Sequence, residues 1–195
     1  IPPFQGGASI YFTGNSLGLM PRSVPDFLKQ ELDDWSHYGV EGHFHAKHPW
    51  LSYHEMFPAL LSPLLGSLET ETVVMNQLTV NLHLLLVSFY RPTKTRFKIL
   101  CEGRAFSSDQ YAMESQVRFH GYDPNEAIVE VFPREGESVI RPDDMLDAIR
   151  GEGDSLALVL LGGVNYYTGQ FFDLASITKA GHGVGAIVGF DLAHA

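Results

Sequence analysis

From residue 68 onward, short β-rich runs alternate with longer runs of helical periodicity, and this alternation restricts the fold more than any other feature of the chain. Strands linked one after another by helices lie parallel, because each crossover helix carries the chain back to the same end of the sheet. The pattern predicts strands at Val73 to Asn76, Phe97 to Cys101, Ile128 to Phe132, Leu156 to Leu161 and Ala186 to Phe190. Between them it predicts a buried helix from Leu78 to Tyr90, apolar almost all round and ended by Pro92. A second helix, Ser107 to His120, has Ser107, Ser108 and Asp109 as capping side chains and Gly121 to close it in a left-handed conformation. Helices Pro142 to Arg150, with Gly151 at its end, and Leu174 to His182 complete the series. Residues 67–195 therefore read as one α/β layer structure. Residues 1–66 read as an N-terminal arm: a loop over Tyr11 to Ser23, a helix from Val24 to about His37, a His-rich loop from Glu41 to Pro49, and an apolar, partly helical stretch that Pro58 and Pro63 kink or divide.

Composition narrows the function. Twenty-three acids against 13 Lys and Arg leave a net charge of −10 with no basic block, which disfavours nucleic acid and anionic membrane as partners. The single Cys101 forms no internal disulfide, and neither a signal peptide nor an apolar run of membrane-spanning length is present. The expected setting is a reduced, soluble, cytoplasmic compartment. The chain starts at Ile1 and stops at Ala195 just after a strand-like run, so the expectation is a piece of a longer protein.

In an open parallel sheet, ligands sit outside the carboxyl ends of the strands, so the residues that follow each strand carry the chemistry. Four such junctions are polar. At Asn76 to Thr79 the free amides of Leu78 and Thr79, with the Thr79 hydroxyl, could face an anion or form an ordinary helix start. At Ala105 to Asp109, Phe106 would lie over the sheet edge, to stack on a planar ring or to plug the core. At Gly162 to Gln170, small residues allow close backbone approach, and Tyr166 or Tyr167 can present a phenol to a phosphate or a proton-transfer site, or lie at the surface. At Phe190 to Ala195, Asp191 can pair with a cationic ring nitrogen while His194 orients it or touches a ligand; the alternative is an Asp capping a turn. His43, His45 and His48 are close in sequence, but without a Cys partner, a CxxC or an HExxH they read as a His-rich loop rather than a metal site. The glycines of Gly181 to Gly185 follow a helix and read as its stop, not as a phosphate cradle.

Taken with the N-terminal run, these junctions resemble the kynureninase family across essentially the whole chain. The resemblance rests on Tyr11 to Leu19 (YFTGNSLGL), Met75 to Thr93, Ala105 to Gln116, Pro133 to Glu137 (PREGE), the YTGQ and ITKAG segments, and Phe190 to Ala195 (FDLAHA). It implies the fold of the pyridoxal-phosphate transferases: an N-terminal arm plus much of the large, mainly parallel, three-layer α/β/α cofactor domain, with the C-terminal part missing. Pyridoxal 5'-phosphate is the implied cofactor. By position the resemblance assigns Leu78 and Thr79 to its phosphate, Phe106 to stacking on its ring with Ser107, Ser108 and Asp109 completing that loop, and Asp191 and His194 to the ring pocket. It assigns Tyr167 to proton transfer near the phosphate, and Ser16 and His43 to substrate contact. Gly162 stands where some relatives carry Ser, which would leave only backbone contact there. The lysine that carries the cofactor in the family lies downstream of FDLAHA, and none of Lys29, Lys47, Lys94, Lys98 and Lys179 matches it, so the 195 residues alone are expected to be inactive. The implied activity of the complete enzyme is hydrolysis of L-kynurenine or 3-hydroxy-L-kynurenine to anthranilate or 3-hydroxyanthranilate plus L-alanine, in tryptophan catabolism and NAD biosynthesis, by a homodimer. The alternatives are a cysteine desulfurase or class V aminotransferase of the same fold, or a non-catalytic truncated fragment.

Overall fold

The structure is a computed structural model that describes residues 3–194. The chain forms two compact units, Ile1–Asn76 and Gln77–Ala195; the boundary expected at residue 66 falls inside the first.

The first unit opens with a two-stranded antiparallel ribbon, β1 (Pro3–Phe4) on β2 (Gly7–Ala8), turned at Gln5 and Gly6, both of positive φ. Helix α1 (Val24–Tyr38) starts with Pro25 in its first turn, where the missing amide costs nothing, and ends at Gly39, whose φ of 53° needs no Cβ. The expected His-rich loop contains structure: a 3-10 turn, Gly39–Glu41, runs into the single turn α2 (Gly42–His45). This turn is pinned because the Trp50 ring packs on Gly42 so closely that a Cβ there would lie 2.5 Å from it, and the Trp50 indole N–H donates to Glu31 at 3.1 Å. Pro58 divides the next stretch, separating a 3-10 turn (Tyr53–Met56) from α3 (Pro58–Leu65), while Pro63 is tolerated within that helix. Val73 to Asn76, expected as a strand, is irregular: among the described residues it pairs with no strand, and an extended segment without a ladder has nothing to hold it.

The second unit is the expected α/β layer. Helix α4 (Leu78–Phe89) leads to β3 (Lys98–Glu102), α5 (Ser107–Phe119), a one-turn α6 (Pro124–Ala127), β4 (Ile128–Val131), α7 (Pro142–Glu152), β5 (Leu156–Gly162), α8 (Leu174–Gly183) and β6 (Ile187–Asp191). The four strands form one parallel sheet in the order β4-β3-β5-β6, with Leu100 opposite both Val129 and Val159, and Gly162 opposite Asp191. Side chains alternate across β3, so Ile99 and Cys101 pack with Leu82 and Leu86 of α4 and Met113 and Val117 of α5. Leu100, on the other face, packs with Met145 and Ile149 of α7 and Ile177 of α8. Helices thus cover both faces of the sheet, which explains why β5 is apolar almost throughout.

Three local expectations change. Helix α4 buries only Leu82 and Leu86, while Leu84, Leu85, Val87 and Phe89 are exposed in this chain, because a helix beside a sheet turns a single face to it. Helix α5 is not capped by Ser107, Ser108 or Asp109: Phe106 holds the N-cap position with no side-chain bond, and Ser108 instead donates to Asp109 at 3.2 Å. Helix α7 runs past Gly151 to Glu152 and closes at Gly153, whose φ of 51° supplies the reversal.

A candidate cofactor site at the carboxyl ends of the strands

The parallel sheet brings the ends of β3, β5 and β6 together at one edge, where they present Glu102, Gly162 and Asp191. A small cleft opens there, floored by these three and walled by Phe106, Tyr166 and His194, with Asp109 reaching in from the first turn of α5. The Asp191 carbonyl accepts from Gly163 N–H at 2.7 Å and its Oδ1 accepts from Ala193 N–H at 2.8 Å, so the turn beyond β6 fixes the carboxylate.

Asp109 is buried and shares the cleft with Asp191. Burial first, and the adjoining Asp191 carboxyl second, push the Asp109 carboxyl up to about 7. Glu102, also buried, accepts the Gly162 N–H with both oxygens, at 3.2 and 3.3 Å, and burial raises its carboxyl as well. The edge therefore has a high affinity for a proton or for a cationic group.

The aromatic wall is specific in geometry. Phe106 is 40% exposed, placed at the cleft rather than in the core, with the Tyr166 ring edge-on to it at 4.9 Å and the His194 ring at 6.1 Å. Leu78 and Thr79 open α4 in the same unit without lining the cleft; their amides lie in the first turn, which has no intrahelical acceptor, and the preceding Gln77 makes no side-chain cap. Tyr167 is 84% exposed and lines a separate, wider cavity of about 540 Å³ with Arg104 and Phe132. Ser16 and His43 belong to the N-terminal unit. Ser16 sits in an exposed turn closed by its own amide on the Thr13 carbonyl, at 3.0 Å; His43 bonds the Val40 carbonyl through Nδ1 at 2.8 Å and meets the Trp50 ring edge-on.

Of the residues singled out in the sequence, Phe106, Asp109, Asp191 and His194 therefore meet at one cleft, with Gly162 in its floor. Glu102 was not among them, although the signal was present: it ends the apolar run KILCE as Asp191 ends AIVGFD.

No protein-family model matches the chain. It is 59% identical over 194 residues to a kynureninase of Flavobacterium psychrophilum, covering all of this chain and 46% of that protein. It is 58% identical over 193 residues to one of Myxococcus xanthus and 51% identical over 187 residues to one of Mus musculus. The chain belongs to the kynureninase family. It spans a little under half the length of the kynureninases named here, 46% and 45% of the two bacterial proteins. Among solved structures it is similar to a cystine C-S lyase, C-DES, with a TM-score of 0.72 and 12% identity over 93% of this chain and 46% of that one. It is also similar to a cysteine desulfurase from Thermococcus onnurineus NA1, with a TM-score of 0.61 and 15% identity over 84% of this chain and 40% of that one. The fold of this kynureninase sequence is that of the fold-type I pyridoxal-phosphate enzymes, and the low identities carry the likeness no further than fold.

Proposed function

We propose that the whole protein of which these residues are part hydrolyses L-kynurenine and 3-hydroxy-L-kynurenine to anthranilate or 3-hydroxyanthranilate plus L-alanine. The observation that carries this reading is kynureninase identity along the full chain, from the N-terminal arm to FDLAHA. The donor set at the cleft suits pyridoxal 5'-phosphate, with a carboxylate for a cationic ring nitrogen and an aromatic face beside it, and the start of α4, outside the cleft's lining, offers first-turn amides for a phosphate. When bound, that cofactor supplies the electron sink for the pair left on the substrate Cα.

The chain's own residues then have distinct tasks. Asp191 would hold the ring nitrogen protonated. Phe106 would stack on the ring, with Ser107, Ser108 and His194 completing its surroundings. Leu78 and Thr79 would bind the phosphate through backbone amides, and Ser16 and His43 would contact the substrate. Gly162 offers no side-chain hydroxyl, and its N–H is already committed to Glu102. A homodimer in the cytoplasm is the assembly and setting we assign to the whole protein. Among the described residues no helix is long and apolar enough to cross a membrane.

Incubating the full-length protein with pyridoxal phosphate and each kynurenine should release fluorescent anthranilate or its 3-hydroxy form. Cysteine consumed in its place, with no aromatic acid from either kynurenine, would assign the fold's desulfurase chemistry instead.

A further inference from the structure

Glu102 lies buried in the floor of the cleft, yet none of the tasks proposed for the reaction falls to it. Its placement is costly. Among the described residues no lysine or arginine forms an ion pair with it, and the nearby Asp191 charge repels it. What offsets the cost is backbone: its own amide and that of Gly162 hydrogen-bond to its carboxyl.

The strand pairing shows what those bonds hold. β3 pairs with β4 as far as Glu102 opposite Val131, and β5 pairs with β6 as far as Gly162 opposite Asp191. The pairing of β3 with β5 stops earlier, at Leu100 opposite Val159. Beyond that point a side chain makes the join: the Gly162 amide donates to both Glu102 oxygens, at 3.2 and 3.3 Å. One residue on, the Gly163 amide donates to the Asp191 carbonyl at 2.7 Å. The ends of β3, β5 and β6 are thus linked in series through Glu102, Gly162 and Gly163. The fit is close, because a Cβ at position 162 would lie 3.1 Å from Glu102 Oε1 and 3.3 Å from the Val164 carbonyl oxygen.

We infer that Glu102 is a positioning residue for Asp191: it braces the end of β5 and, through Gly163, the end of β6, and so fixes where the Asp191 carboxylate stands in the cleft. The inference rests on the proposed reading in which Asp191 pairs with the ring nitrogen of pyridoxal phosphate. Because the brace is a hydrogen bond accepted from the backbone, it requires an acceptor oxygen at position 102 rather than a negative charge there.

The test uses the full-length protein freed of cofactor and compares the dissociation constants of pyridoxal phosphate and of its analogue with C–H in place of the ring nitrogen. The ratio of the two reads the Asp191 contact, whereas a variant that merely loosens the fold weakens both ligands together. The wild type should favour pyridoxal phosphate by about 10–100-fold, the span of one hydrogen bond to a charged group, and Asp191→Asn should abolish that preference. Glu102→Ala should cut the preference by about fivefold or more, with the analogue's affinity within about threefold of wild type. Glu102→Gln keeps an acceptor for the Gly162 amide and should hold the preference within about threefold of wild type. In the Asp191→Asn background, Glu102→Ala should change the ratio no further, because both substitutions act on one contact. Gly162→Ala presses a methyl group on the same carboxyl oxygen, so it should lower the preference too and serves if Glu102→Ala does not fold. A preference untouched by Glu102→Ala or, where that variant does not fold, by Gly162→Ala overturns the inference. So does its loss in Glu102→Gln, because charge rather than the brace would then be at work. A wild type that binds both ligands equally, or neither, overturns the ring-nitrogen reading itself, and the positioning role falls with it.

Discussion

The two units differ in how they use their apolar residues. In the C-terminal unit, Leu100, Val159 and Ile149 are wholly buried between sheet and helices. In the N-terminal unit, Phe27, Leu28, Leu32 and Trp35 of α1 recur at helical spacing, yet each is exposed in this chain, and the residue α1 does bury is Asp34, which accepts the Lys47 amide at 3.0 Å. Periodicity therefore specifies a helix in both units but specifies a packed core only where a second element presents a complementary face. In the sheet unit that face comes from strands distant in sequence.

Substitutions that delete apolar volume sharpen this difference most. Leu100→Ala, in the central strand, should lower stability by about 2–5 kcal/mol, because the cavity it leaves is walled by a sheet and two helices that cannot collapse. Leu32→Ala, with its leucine 60% exposed, should change stability by no more than about 0.5 kcal/mol. Urea denaturation of both variants, followed by circular dichroism, measures the contrast. A loss for Leu32→Ala as large as that for Leu100→Ala would mean that the α1 stripe is buried in solution.

A smaller and pH-dependent effect should come from the cleft in the cofactor-free protein. The Asp109 carboxyl titrates near 7 when folded and near the ordinary value of about 4 when unfolded. Between these values the folded chain holds a proton that the unfolded chain has released, so stability falls as pH rises through about 4 to 7 and levels off above. Asp109→Asn keeps the hydrogen-bonding shape without the titration and should flatten that slope. Melting temperatures from pH 5 to pH 8 check it; an unchanged slope would move the effect to another group.

The sequence makes the sheet unit legible because strand-helix alternation is a local signal with a global meaning. KILCE, IVEV and AIVGFD could be placed within a residue or so of their observed ends, and the rule that ligands meet the carboxyl ends of parallel strands then directed attention to Phe106, Asp109, Asp191 and His194 before any coordinates. What stayed illegible depends on partners. Val73 to Asn76 has strand-like residues and no strand to pair with. The first turn of α5 has three residues that cap helices well, but Ser108 is committed to Asp109 and the chain enters through Phe106. Glu102 escaped notice because a lone acid at a strand end gains meaning only when the Gly162 amide arrives from sixty residues away. Tyr166 and Tyr167 are indistinguishable by spacing, since a turn has no period; the fold sets Tyr166 in the wall of the cleft and leaves Tyr167 out of it.

Charge pairs provide the finest contrast between the units. Lys98 Nζ on β3 meets Glu152 Oε2 at 2.7 Å, both side chains about a quarter exposed, and the Ser155 hydroxyl donates to the same oxygen at 2.8 Å. The Lys98 ammonium, and then the Ser155 hydroxyl, hold the Glu152 carboxyl below the usual carboxylate range. Lys29 and Asp33 form an i,i+4 pair on α1 with both side chains largely in water. A depressed folded value contributes stability above the unfolded carboxylate value of about 4.3 and loses it as pH falls through the folded value. Lys98→Met should therefore cost about 0.5–1 kcal/mol at neutral pH, a cost that vanishes in acid as Glu152 protonates, whereas Lys29→Met should cost no more than about 0.3–0.5 kcal/mol, reduced by added salt. Urea midpoints at pH 7 and pH 3.5, with and without salt, separate the two: a Lys98→Met cost that persists in acid would trace to lost packing of the lysine stem along β3 rather than to its charge.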